Sequence, residues 1–139
     1  MDFDKKMAEL FADEDRAREM ARRMMALAQK DPRAAAHEKP SLLAFLRGPM
    51  EKHMSYEERA MFPMLVDHGL EPEVELALKH HAALRAETVN LEAASTDEDV
   101  ARAIFLAARL MLHHTNFEGD YIYPELSRDQ WRALMMATE

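Results

Sequence analysis

HMSYEERAMFP, residues 53–63, is nearly rewritten as HTNFEGDYIYP at residues 114–124. His53, Glu57, Phe62 and Pro63 fall at the same offsets as His114, Glu118, Tyr123 and Pro124. Residues four apart share one face of an α-helix, about 6 Å apart along its axis, so each phrase directs an imidazole and a carboxylate the same way. The neighbours say which way. Leu46 and Met50 precede His53 at helical spacing and Met61 and Met64 follow it, while Ile104, Ala107 and Met111 place His114 on an apolar stripe. Each phrase therefore sets a base and an acid into the face that its helix turns toward the core.

Outward from these phrases the chain reads as helix. Only three glycines occur, and the prolines fall mostly at boundaries. Met7, Leu10, Phe11, Ala17, Ala21, Met24 and Ala28 form a stripe that predicts a first helix over about Phe3 to Gln29, broken by Asp31-Pro32. A loop containing His37 is expected next. Ser41 is placed to cap a second helix whose stripe is Leu42, Leu43, Leu46, Met50, Met61 and Met64. Gly48-Pro49 and Pro63 should bend or interrupt it, and Gly69 should end it. Pro72 opens a third helix, striped by Val74, Ala77, Leu78, Leu84, Thr88 and Leu91. Ser95 or Thr96 caps a fourth, with Glu98 placed for a capping box from Ser95. Its stripe is Val100, Ala103, Ile104, Ala107, Ala108 and Met111, and Gly119 and Pro124 interrupt its end. Ser127 starts a short fifth helix carrying Trp131, Leu134 and Met135. No segment alternates as a half-buried strand would. The expected fold is all-α: an antiparallel, up-down-up-down four-helix bundle with a short C-terminal fifth helix, one domain over residues 1–139.

The other two long helices add to the polar set. In KHHAALR, His81 lies on the axis of Val74, Ala77, Leu78, Leu84 and Thr88, whereas His80 is turned about 100° away. On the first helix Glu14 lies two turns from both Met7 and Ala21. Phe11 and Ala17 flank it at minus and plus three, as Leu78 and Leu84 flank His81. The chain thus reads as two copies of one helical hairpin: Glu14 with His53 and Glu57, then His81 with His114 and Glu118. Asp15 is a less well placed first-helix candidate, with Arg18 and Arg22 on its side.

Six such groups in an apolar interior would cost several kcal/mol uncompensated. No Lys or Arg lies at the centre of these stripes. A cation is the expected compensation. Three imidazoles and three carboxylates suit iron, manganese or zinc. Three carboxylates against two divalent ions leave +1, which a bridging hydroxide would neutralise, and against one ion they leave −1, so charge alone does not fix the number. Two ions sharing six protein ligands would keep positions open for water, oxygen or peroxide, as bundle-core carboxylate sites do. Glu58 reads foremost as a solvated residue, and otherwise as a group that orients a His or binds metal. Asp120, next to Gly119, has no readable direction. His37, His68, His80 and His113 read as surface or helix-end residues, and Met24, Met50, Met61, Met64 and Met111 as core fillers.

The bulk properties narrow the classes. With 18 Lys+Arg against 26 Asp+Glu, a formal charge of −8 argues against nucleic acid or an anionic membrane as partner. The absence of cysteine removes disulfides and thiolate sites. MDFDKKMAELFADED is unlike a secretory signal and no apolar run spans a bilayer, so a cytoplasmic location is expected. Trp131, Met135 and Met136 are candidates either to cover one end of the bundle or to form a homodimer contact.

At these residues the sequence resembles the hemerythrin-like, or HHE cation-binding, family, over about Glu9 to Leu126. Its pattern is a His on the first helix, HxxxE on the second, His on the third and HxxxE on the fourth. HMSYEERAMFP fits the family's HxxxEE…FP form closely. The resemblance implies a metal centre held by His53, Glu57, His81, His114 and Glu118. Glu14 or Asp15 stands where the family has its first-helix His, and Glu14 is the better placed. Oxygen carriers of the family use HxxxH on the third helix and HxxxxD on the fourth. Here Ala77 lies four residues before His81, and Gly119 lies five after His114. A set richer in carboxylate favours oxidised metal, so redox reaction or sensing is expected rather than reversible oxygen carriage.

Three classes of function stay open at this point. The first is a non-haem di-metal protein, with two iron ions (alternatively manganese or zinc), that binds, senses or reacts with oxygen, peroxide or a similar small oxidant. The second is a mononuclear zinc or iron storage or structural protein, and the third a metal-free interaction bundle. No catalytic residue is assigned. The 139 residues contain no attached signalling or DNA-binding domain, so sensing would need a separate partner.

Overall fold

Asp2 opens the first helix by accepting a hydrogen bond from the Lys5 amide, and α1 runs over Phe3–Lys30. The structure, a computed structural model, describes residues 2–137. Met1, Thr138 and Glu139, within the expected domain, lie outside the described residues. Asp31 then caps α2 (Pro32–His37) by accepting from the Ala34 amide at 3.1 Å, so the expected loop around His37 is helical instead. An aspartate directly before a proline supplies both a cap and a preset first turn, which the break at Asp31-Pro32 obscured.

The second long helix spans 39–67 without a loop, though not as one α-helix. α3 (Lys39–Phe45) passes into a π-helical turn at Leu46–Met50, then α4 (Glu51–Tyr56), a second π-helical turn at Glu57–Met61, and α5 (Phe62–Asp67). Ser41 lies inside α3 and does not cap it. Each wide turn accompanies a proline: Pro49 sits within the first, Pro63 just beyond the second. A proline ring collides with the carbonyl four residues back and brings no N–H. Widening the turn accommodates both defects, and the helix continues. The second wide turn begins at Glu57, one of the two repeated glutamates.

Gly69, with φ +88°, ends α5: its amide bonds to Val66 O at 3.1 Å, and that of Leu70 to Leu65 O at 2.9 Å. This Schellman geometry buries Leu70 against the same cluster as Leu65. α6 (Glu71–Ala93) carries Pro72 in its first turn. Thr96 caps α7 (Asp97–Tyr121) by accepting from the Asp99 amide at 3.1 Å. The Ser95–Glu98 capping box does not form, because the cap is one residue later. α7 also runs through Gly119, which does not interrupt it. A Cβ there would lie 3.2 Å from Arg18 Nη2, so the glycine leaves room for an arginine from α1. Pro124 falls in a 3-10 turn at Tyr123–Glu125. Ser127 and Gln130 then cap α8 (Arg128–Ala137) reciprocally, each side chain accepting from the other's amide at 3.2 and 2.8 Å.

The result is the expected antiparallel four-helix bundle, with α8 as its short fifth helix. No strand occurs among the described residues, and no helix of theirs is long and apolar enough to cross a membrane. Two stripe assignments fail together: Phe11 is 42% exposed and Leu78 41%. Both stand three residues before a polar core residue, at matching places in the repeat, and both lie on the outer edge of the stripe. Trp131 and Met135 are buried within the chain, covering one end of the bundle, while Met136 is exposed.

The apolar core is two clusters and not one. Ala17, Met24, Met54, Leu84 and Met111 belong to one; Leu10, Met61, Ala77, Ile122 and Trp131 belong to the other. Each long helix passes from one cluster to the other across the residues singled out by the repeat. On α1 the order is Leu10, Glu14, Ala17; on α6 it is Ala77, His81, Leu84. A polar layer therefore crosses the middle of the bundle.

Because Gly69 alone among the described residues holds a left-handed backbone, Gly69→Ala is expected to cost about 1–2 kcal/mol. Urea unfolding monitored by circular dichroism checks this.

Candidate metal centre

Glu14, His53, Glu57, His81, His114 and Glu118 all meet in that layer, each 3% exposed or less. Donor atoms of Glu57, His81, His114 and Glu118 lie within 4.8 Å of one another, and so do those of Glu14, His53, Glu57 and Glu118. The two groups overlap at Glu57 and Glu118, the glutamates of the repeated phrase. His53 Nε2 lies 3.7 Å from Glu14 and 3.6 Å from Glu57, and His81 Nε2 lies 3.3 Å from Glu57. His114 Nε2 is 2.6 Å from Glu118 and 3.1 Å from His81 Nε2. Asp15 points away: its side chain is 80% exposed and pairs with Arg18 at 3.2 Å.

All three imidazoles present Nε2 to the interior because something holds Nδ1 outside. His53 Nδ1–H donates to Asp13 Oδ2 at 3.3 Å, and His81 Nδ1–H donates to Glu58 Oε2 at 2.7 Å. His114 Nδ1 lies 3.1 Å from Nδ1 of His80. The outer groups are braced in turn. Arg16 holds Asp13 at 2.7 Å, Arg85 forks onto Glu58 at 2.7 and 3.1 Å, and the rings of His113 and Phe117 pack edge-on against His80. Burial disfavours charge on Glu58, but Arg85 and His81 outweigh it and hold the carboxyl below its usual range. With Nδ1 carrying the proton toward that carboxylate, Nε2 of neutral His81 is a bare lone pair.

These anchors follow a rule. Asp13 adjoins Glu14, Glu58 adjoins Glu57, and His80 adjoins His81, yet each serves a histidine on the following long helix. α1 braces the 39–67 helix, that helix braces α6, and α6 braces α7. His80, expected on the surface, is 8% exposed because this step turns it toward α7. Asp13 has no place in the sequence reading, and Glu58, expected foremost as solvated, instead bonds His81 and Arg85. The available signal was the polar doublets themselves, since a residue one step along a helix points about 100° around it, at the neighbouring helix.

Six inward atoms make no well-aligned hydrogen bond: Glu14 Oε1, His53 Nε2, and both carboxylate oxygens of Glu57 and of Glu118, although Glu118 Oε1 lies 2.6 Å from His114 Nε2. Buried polar atoms are seldom left so, and here they face one another. Protons compensate only in part. Burial opposes charge on His53, but Glu14 and Glu57 push its pKa up to about 11. Burial, then the charge of Glu118, drives Glu57 well above the carboxylate range. Burial also acts on Glu118, yet His114, Glu57 and His53 bring it down to about 2. Burial and His114 lower His81 to about 4, so its ring is neutral, with the proton on the Nδ1 facing Glu58 and Nε2 accepting from His114 Nε2. Arg18, the nearest side-chain cation, reaches only the rim, 3.8 Å from Glu14. Convergent lone pairs, orphaned carboxylate oxygens and outward-braced imidazoles fit a bound cation.

The family model for the hemerythrin HHE cation-binding domain matches residues 6–126. The chain belongs to that family. Neither a curated protein nor a solved structure matches it. In this hemerythrin HHE domain α8 lies beyond the matched residues, and α1 brings the buried Glu14 to the layer.

His80→Ala removes the brace behind His114 without touching the six convergent side chains. Metal affinity should fall roughly 10- to 100-fold. His37→Ala, at the exposed end of α2, should leave it unchanged; competition with a chromogenic chelator measures both.

Proposed function

We propose that residues 1–139 form one metal-binding domain holding two metal ions, iron foremost, that reacts with or senses oxygen, peroxide or a similar small oxidant. The observation that carries this reading is the overlap of the two four-residue groups at Glu57 and Glu118. One ion would be held by Glu14 and His53 and the other by His81 and His114, with Glu57 and Glu118 within reach of both groups. A single ion would leave either Glu14 and His53 or His81 and His114 without a counterpart in a dry layer, at a cost of several kcal/mol. A bound iron pair supplies redox chemistry toward small oxidants. The protein's part is to hold three imidazoles at fixed tautomers, to keep the layer dry, and to admit a small molecule. A cleft of about 340 Å³ opens over His53 and Asp13, rimmed by Lys6, Arg16, Lys52 and Tyr56. Three carboxylates against three imidazoles favour the oxidised metal, which supports reaction or sensing over reversible oxygen carriage.

Elemental analysis of protein purified without chelator should give two irons per chain; one zinc, or none, would overturn the reading. Stripping the metal should lower the melting temperature. Binding at free metal a thousandfold above Kd stabilises by about 4 kcal/mol, or roughly 10 °C for a domain of this size. His114→Ala should lose metal and that stabilisation together, while His113→Ala, which removes only a ring contact behind His80, should lose far less; equal losses from the two would refute the choice of His114 as ligand.

A further inference from the structure

Among the described residues, Tyr123 is a buried side chain with a polar atom that the six-residue set and its histidine braces leave unused. It stands where the repeat has Phe62. The two rings have diverged in role: Phe62 stacks on His81 at 5.4 Å with no polar atom to offer, whereas Tyr123 brings a hydroxyl. That residue is 9% exposed and its oxygen has no hydrogen-bond partner. A buried tyrosine hydroxyl ordinarily finds one. The ring is fixed from both sides, by Phe11 edge-on at 5.1 Å and by Trp131 at 5.7 Å. The Trp131 indole N–H also donates to the Tyr123 carbonyl at 2.9 Å, so α8 holds the residue in place. Phe11, against which the ring packs, lies three residues before Glu14 on α1, and Glu14 Oε1 is a buried oxygen that likewise has no hydrogen-bond partner.

The braces around the layer show what is missing. Each histidine meets a polar side chain from the preceding long helix, a carboxylate for His53 and His81 and an imidazole for His114. Glu14 on α1 is a carboxylate and needs a donor, and the chain following α7 presents one at Tyr123. We propose that Tyr123 is the positioning residue for Glu14, its O–H donating to that carboxylate and completing the ring of braces. The assignment rests on the metal reading, and it makes α8 part of the site's support. Tyr123 thereby fixes the half of the centre built from Glu14 and His53, beside the cleft, while Phe62 closes the half built from His81 and His114 with hydrocarbon.

The test compares Tyr123→Phe with wild type and with Tyr121→Phe, on the exposed phenol two residues earlier. Iron(II) and cobalt(II) affinities are measured by anaerobic chelator competition, and the thermal midpoint of each metal-free protein is recorded. Tyr123→Phe should weaken metal binding about tenfold or more, leave the metal-free midpoint unchanged, and have no effect when Glu14 is already alanine. Tyr121→Phe should match wild type. An unchanged affinity, or a loss that persists in the Glu14→Ala background, overturns the assignment. A lowered metal-free midpoint overturns it too, since the hydroxyl would then serve packing. In each of those cases a metal-loaded wild type leaves the metal reading standing. A wild type that takes up neither iron nor cobalt overturns both.

Discussion

Three carboxyl groups and three imidazoles are brought together in a layer with almost no exposed surface, and everything else in the bundle is arranged around that conflict. In water each group would be separately solvated. Inside, an unpaired ionised group costs several kcal/mol, and a pair is tolerated only with good geometry. The chain answers with rigidity in place of water. Each imidazole is held from behind, each brace is itself paired or packed, and two rings close the layer, Phe62 at one half and Tyr123 at the other. The arrangement suits a resident cation far better than it suits protons alone.

The repeated phrase now has a physical reading. His and Glu four residues apart deliver one nitrogen and one carboxylate from a single helix, and two such helices place the two carboxylates face to face. The prolines that follow act differently in the two copies. Pro63 widens the helix just beyond Glu57 and lets it run on, whereas Pro124 lies in the turn that ends the fourth helix and sets Tyr123 against α8. One phrase is thus written twice, with its tail put to two uses.

Helical period alone gave the bundle, the four long helices and the membership of the layer, because the pattern at Glu14, His53, His81 and His114 survives any small error in helix boundaries. It did less well on the stripe's width. Phe11 and Leu78 were read as inward by spacing, but a helix in a four-helix bundle turns a limited arc to the interior, and these two fall past its edge. His80 erred in the opposite sense, since facing a neighbouring helix is also burial. Ser41, the loop at His37 and the Ser95–Glu98 box were misplaced by single residues of capping geometry, which depends on backbone angles that composition does not carry. The role of Tyr123 was out of reach because it depends on α8 folding back beneath it.

The division of the core into two apolar clusters bears on how the protein comes apart. In most domains of this size one continuous hydrophobic interior makes unfolding all-or-none. Here the two ends communicate across a seam of charged and polar side chains, so the seam decides whether they behave as a single cooperative unit. A filled layer would weld them; an empty, partly protonated one would let one end fray while the other persists. Cooperativity in this bundle is therefore a property lent by whatever occupies its middle.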